Sequence, residues 1–234
     1  FEKAEAFALY PTVDGKYYTY DELYNAIKAK QTDKDDKLII LYASNQDEQH
    51  SYIEAAKDKG YEVLLLDSPI VSHLMQKLEG SKENISFARV DADHIDKLIQ
   101  KEENTISKLD EDQQKQLDEL FKEVIPSEKF MVQLEAMDSN ATPFMITQPE
   151  FMRRMKEMQQ TGGGGMFGMG NMPEMYNLIV NTNSELVGEI LNTKTKKKQE
   201  RLINQSLDLA RLSQGLLKGV ELTNFIKRSY DMIK

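Results

Sequence analysis

Three histidines, His50, His73 and His94, are the side chains of this sequence best suited to hold a metal or to move a proton near neutral pH. They are isolated from one another and show no metal-ligand spacing, so each reads as an ordinary surface or helix histidine. A nucleotide site would need glycines that let backbone approach a phosphate. The turn YASNQDEQ has none, and G-x-x-x-x-G-K-[ST] occurs nowhere. The run Gly162–Gly165 neither follows a strand nor opens an evident helix. Carboxylate pairs such as Glu102-Glu103 lie in solvated stretches with nothing apolar nearby to raise a pKa. With no cysteine, disulfides, thiol nucleophiles and thiolate metal sites are excluded. The sequence predicts no catalytic constellation, no metal and no cofactor.

The chemistry it does carry is adhesive. Seven of the 12 methionines fall between Phe151 and Met175, in FMRRMKEMQQTGGGGMFGMGNMPEM. On a helix, Phe151, Met152, Met155 and Met158 share one arc of about 120°, and Arg153, Arg154, Lys156, Glu157 and Gln160 fill the rest. Thr147-Gln148-Pro149-Glu150 supplies a capping box with proline in the first turn, and the glycines beyond loosen the chain. One reading packs this arc on its own core. The other makes it a polypeptide-binding surface, because unbranched, polarizable methionine adapts to varied partners where leucine or isoleucine would specify a unique fit.

The elements that must position this arc fall into two blocks. KLIILYAS is a continuous apolar run, as in a strand buried on both faces. A helix through NQDEQHSYIEAAKDKG, closed by Gly60, leads to a second strand, YEVLLLD. Ser68-Pro69 opens another helix, which Gly80 ends, and ISFARVD makes a third strand. This alternation predicts a parallel sheet between helices, with TYDELYNAIKAK as one more helix upstream. After a charged joint, an Asp110–Gln113 capping box starts a helix through Leu117, Leu120, Phe121 and Val124, stopped by Pro126. KFMVQLEAM and TPFMIT read as a β-hairpin, followed by a strand at YNLIV and a short helix near Ser184–Leu191. The fold class is therefore α/β: a three-layer α/β/α part with a parallel sheet over residues 1–105, then an α+β part over 106–234.

Two amphipathic helices close the chain. Leu202, Leu209, Leu216 and Leu217 fall on one side of the first, with Ser206, Ala210 and Ser213 between them. Leu222, Phe225, Ile226, Tyr230 and Ile233 line the second. The pair either covers its own sheet or joins a second copy in a four-helix bundle, and periodicity leaves both open. A net charge of −9 and a pI near 5.0 argue against nucleic acid. The basic run Lys194–Lys198 reads as a solvated connector. The apolar runs are too short to cross a bilayer and no signal peptide opens the chain, which starts at Phe1, as a fragment of something longer would.

The collinear series KLIILYAS…YIEAAKDKGYEVLLLDSPI, ATPFMITQPEFMRRM, PEMYNLIVNTNSELV and LINQSLDLARLSQGLL…FIKRSYDMI resembles the ninety-kilodalton heat-shock chaperones, most closely their bacterial form, across nearly the whole chain. The resemblance implies the end of the middle domain followed by a C-terminal dimerisation domain. It implies a cytoplasmic homodimer whose four-helix bundle uses Leu202, Leu209, Leu216, Leu222, Phe225, Ile226 and Tyr230. Non-native client polypeptides would bind at Phe151, Met152, Met155 and Met158. ATP and magnesium would belong to an N-terminal domain with no counterpart here, so the chain would be no enzyme by itself. Where relatives often carry an acidic-aromatic pair, this sequence has Ser72-His73. The competing reading is a small α/β nucleotide-binding protein or enzyme.

Overall fold

The structure, a computed structural model, describes residues 7–68, 71–101, 105–148, 152, 154 and 175–233. The chain divides into two compact units. One comprises Phe1–Glu103 with Gln148–Gly170, the other Asn104–Thr147 with Asn171–Lys234.

The first unit opens with a two-residue ribbon, β1 (Tyr10–Pro11) against β2 (Tyr17–Tyr18). Helix α1 (Tyr20–Gln31) starts on a complete capping box, in which Thr19 and Glu22 each satisfy the other's backbone N–H. Strand β3 (Leu38–Ala43) is buried at all six positions, as a central parallel strand must be. It leads through α2 (His50–Asp58) to β4 (Val63–Leu65), then through α3 (Val71–Ser81) to β5 (Ile85–Arg89) and the short α4 (Ile95–Leu98). The parallel sheet has the order β4-β3-β5, with Leu41 opposite Val63 and Ala88. Leu38, Ile40 and Tyr42 pack with Leu23 and Ile27 of α1 and with Val71, Met75 and Leu78 of α3. Ile39, Leu41 and Ala43 point to the opposite face and are equally buried, as are Tyr52, Ile53 and Ala56 of α2. The parallel block expected from the sequence is therefore present.

Two local expectations change. Gly80 does not end α3, which continues to Ser81, and the left-handed residue is Asn84 (φ 55°) before β5. Gly60 (φ 71°) does close the α2 region as expected. The Ser68-Pro69 start lies only partly within the described residues.

In the second unit, α5 (Glu111–Val124) has the Asp110–Gln113 capping box. Strands β6 (Phe130–Glu135), β7 (Phe144–Thr147) and β8 (Tyr176–Asn181) form a sheet of order β6-β8-β7. The expected β6–β7 hairpin is thus overturned: β8 enters between them, parallel to β6 and antiparallel to β7. A central strand has both faces and both edges covered. Leu178, Ile179 and Val180 suit that place, whereas β6 leaves Met131 exposed and suits an edge. Helices α6 (Glu185–Asn192), α7 (Lys196–Ser213) and α8 (Gly219–Ile233) complete the unit. Its core joins Leu117 and Phe121 of α5, Phe144, Ile146, Leu178 and Val180 of the sheet, and Ile203, Leu207 and Ala210 of α7.

Buried asparagines hold the end of β8. Asn181 Oδ1 accepts from the N–H groups of Met137 (3.2 Å) and Asn183 (3.0 Å). Asn183 Oδ1 accepts from Lys108 N–H (2.7 Å), and its amide donates to the carbonyls of Ile106 and Met137, both at 3.0 Å. These bonds lock the strand ends on which α6 begins.

Candidate functional site

The phosphate-binding position of an α/β fold is the turn after a strand, beside a helix N-terminus. Here the donors after β3 are engaged. Gln49 Oε1 accepts the N–H groups of Ser44 (2.8 Å) and Asn45 (3.0 Å), and Asn45 Oδ1 accepts those of Asp47 (3.0 Å) and Glu48 (3.2 Å). His50 and His73 are exposed on α2 and α3, as expected. His94 is instead buried, at the N-cap position of α4, where its backbone N–H donates to Asp93 Oδ1 at 2.8 Å. No cluster of three or more metal-ligating side chains occurs among the described residues. Nearby Tyr52 has its phenol pKa pushed upward, by burial first and by the Asp91 charge second. Glu102-Glu103 lie outside the described residues.

The closing helices present a different kind of surface. Helix α7 starts at Lys196, earlier than its leucine pattern suggests, so Lys196–Lys198 form its first turn rather than a connector. These cations oppose the helix dipole, and Glu123 (2.9 Å from Lys196) and Glu189 (3.3 Å from Lys198) offset them. The helix ends in a Schellman motif. Gly215 (φ 62°) donates to the Leu212 carbonyl and Leu216 donates to that of Arg211, placing Leu216 and Leu217 beyond the helix.

Polar side chains tie α7 to α8. Asp208 accepts from Arg211 (3.0 Å) and Arg228 (2.6 Å), and Arg211 also bonds Glu221. Arg228 reaches Gln205 Oε1 (2.8 Å), whose amide donates to Ser229 Oγ (2.8 Å). Beneath this strip Phe225 is only 7 % exposed, and Leu217 is buried.

The predicted interface residues therefore sort by depth. Leu202 and Leu216 are half-buried against their own core, Leu222 is half-buried, and Phe225 is buried within one chain. Leu209 (52 % exposed), Ile226 (44 %) and Tyr230 (65 %) face outward, joined by Leu212 and by Ile233 (82 %). Ile226, Tyr230 and Ile233 follow the i, i+4, i+7 rule of a single helix face. The inward face of α7 is Ile203, Ser206, Leu207 and Ala210, a second stripe that the leucine pattern concealed. Its signal was Ile203, four residues before Leu207.

Of the methionine arc, Met152 is helical and half-buried, and Phe151, Met155 and Met158 lie outside the described residues. The neighbouring Arg154 is also helical, and it belongs with the first unit. Its guanidinium makes two bonds to Glu79 of α3, at 2.8 and 3.1 Å, and a third to the Phe87 carbonyl of β5 at 2.9 Å.

Comparison with curated proteins gives this arrangement a lineage. "Chaperone protein htpG" of Bacteroides fragilis (strain YCH46) is 37% identical and aligns with 100% of this chain and 44% of its own length. Chaperone protein HtpG of Bacteroides thetaiotaomicron is 35% identical over the same shares. That of Porphyromonas gingivalis (strain ATCC 33277) is 36% identical over 91% of this chain and 31% of its own length.

The chain is a homologue of HtpG. It matches the C-terminal part of those proteins and spans less than half their length, as the resemblance read from its segments implied. No protein-family model matches the chain. Among the described residues, no helix is long and apolar enough to cross a membrane.

Proposed function

We propose that this chain is the self-associating, polypeptide-holding part of a heat-shock protein 90 family chaperone. The observation that carries the proposal is the set of apolar side chains left exposed on α7 and α8, namely Leu209, Leu212, Ile226, Tyr230 and Ile233. A helical hairpin with one face consumed by its own core and a second face still apolar is half of a four-helix bundle. A two-fold axis would bring these side chains against their own copies. Each protomer would then contribute Phe151, Met152, Met155 and Met158 to a client held at two points. The effective concentration of the second site would let weak contacts, on the order of 1 kcal/mol per partly buried methionine, hold a non-native chain transiently.

ATP binding and hydrolysis would belong to parts of the chaperone that this chain does not align with, and the assembly would work in the cytoplasm. The engaged donors of Ser44 and Asn45 support this reading over a nucleotide-binding one. Suppression of the aggregation of a denatured model protein tests the proposal. The chain should suppress it, and a variant with Met152, Met155 and Met158 changed to serine should do so less while keeping its fold. Equal suppression by the two would remove the methionines from the site.

A further inference from the structure

Strand β5 is an edge of the parallel sheet among the described residues. Its pairing fixes which backbone groups face outward. The Asn84 carbonyl accepts from Leu38 N–H (2.8 Å) and Val90 N–H donates to Tyr42 O (2.9 Å), so even-numbered residues bond to β3. In a parallel ladder the odd-numbered residues then direct both N–H and C=O away from the sheet, where a further strand would sit. The outward groups of Phe87 are both occupied. Its N–H donates to Glu79 Oε1 at 2.7 Å, and its carbonyl accepts from Arg154 at 2.9 Å.

Glu79 and Arg154 also bond each other, at 2.8 and 3.1 Å, with side chains only 21% and 17% exposed. The ion pair thus supplies the one acceptor and one donor that a neighbouring strand would have offered. In the turn that follows β5, the Asp91 carbonyl accepts from Gln148 N–H at 3.4 Å. Gln148 is thus fastened to the turn after β5, and Arg154 to β5 itself. Fork-to-fork geometry of this kind holds direction as well as distance, which a lysine cannot reproduce.

We propose that Arg154 is a positioning residue for polypeptide capture. With Glu79 it forms a latch that fills the open edge of β5 and fixes where the neighbouring Met152 is presented. The proposal rests on the polypeptide-holding function above. Loss of the latch frees Met152 and leaves the outward groups of Phe87 unpaired in one event.

The test measures backbone hydrogen exchange and client capture side by side on the whole chain, for Arg154→Ala, Arg154→Lys and the exchanged pair Glu79→Arg/Arg154→Glu. Arg154→Ala should exchange about tenfold faster in the peptide holding Met152 and Arg154, as expected for loss of a charge-assisted bond, and should suppress aggregation less. Arg154→Lys should fall between, since it keeps the charge without the fork, and the exchanged pair should stay unprotected, since it turns a guanidinium toward the Phe87 N–H and a carboxylate toward the Phe87 carbonyl. Unchanged exchange in Arg154→Ala overturns the latch. Faster exchange with undiminished capture overturns the positioning role. Should the unaltered chain capture nothing, the polypeptide-holding function itself fails, and the exchange data still decide the latch.

Discussion

Replacing Leu209 and Ile226 together with glutamate separates a surface that awaits a second copy from one that is simply exposed. Both residues are among the exposed apolar side chains of α7 and α8, 52 % and 44 % exposed in the single chain, so the monomer loses little by the change. Fully burying a leucine or isoleucine contributes about 1.5–3 kcal/mol, so covering the exposed half of each contributes roughly 1 kcal/mol. Two-fold symmetry counts each position twice, and the double variant removes about 4 kcal/mol from association, a factor of about 10³ in Kd. Four carboxylates brought to one apolar seam add further repulsion and desolvation. Light scattering or sedimentation at micromolar concentration reads the result. The unaltered chain should have twice its 26.9 kDa mass and the variant 26.9 kDa, with the same helical circular dichroism. A variant that remains dimeric would refute the assignment of these side chains to the interface. Phe225 is a poorer probe, because it is buried within one chain and its loss would disturb the hairpin itself.

Other outcomes follow from the same structure. Asn183→Ala strips Lys108 N–H of its acceptor and two carbonyls of their donor, and should lower the urea-unfolding free energy of the second unit by about 3 kcal/mol; a change under about 0.5 kcal/mol would contradict the lock at β8. Glu22 has its pKa drawn below the ordinary value of 4.5, first by the Thr19 N–H and then by the Thr19 hydroxyl. A depressed carboxylate pKa stabilises above the unfolded value and ceases to as pH falls through the folded one. Between pH 6 and 3, the unaltered chain should therefore lose more Tm than Glu22→Gln, and parallel curves would remove the α1 cap from the account. Changing Met152, Met155 and Met158 to serine should weaken client capture without changing molar mass.

The strands of the first unit were legible because parallel strands buried on both faces must be apolar at every position, and Leu38–Ala43 are. The caps were legible because Thr19–Glu22 and Asp110–Gln113 satisfy a local need with local residues. Strand partnership was not. Alternation announces β6 and β7, and the apolar run YNLIV announces β8, but none of these says that β8 arrives from beyond the methionine segment and separates the other two. On α7 the leucines drew attention to one stripe while Ile203, Leu207 and Ala210 faced the core. The Arg154–Glu79 pair spans 75 residues of sequence and belongs to no motif, so only the folded chain reveals it.

A distance between two copies reads the pairing of the closing helices itself. The chain has no cysteine, so Lys227→Cys on exposed α8 provides a single position for a spin label. Pairing of α7 and α8 across a two-fold axis, with neighbouring helices about 8–10 Å apart, predicts dipolar coupling between two labels within roughly 30 Å. The same label at Lys28 of α1 should give a distinctly different distance or none. Uncoupled spins at Lys227, at concentrations where scattering reports a dimer, would place the interface elsewhere and contradict the account.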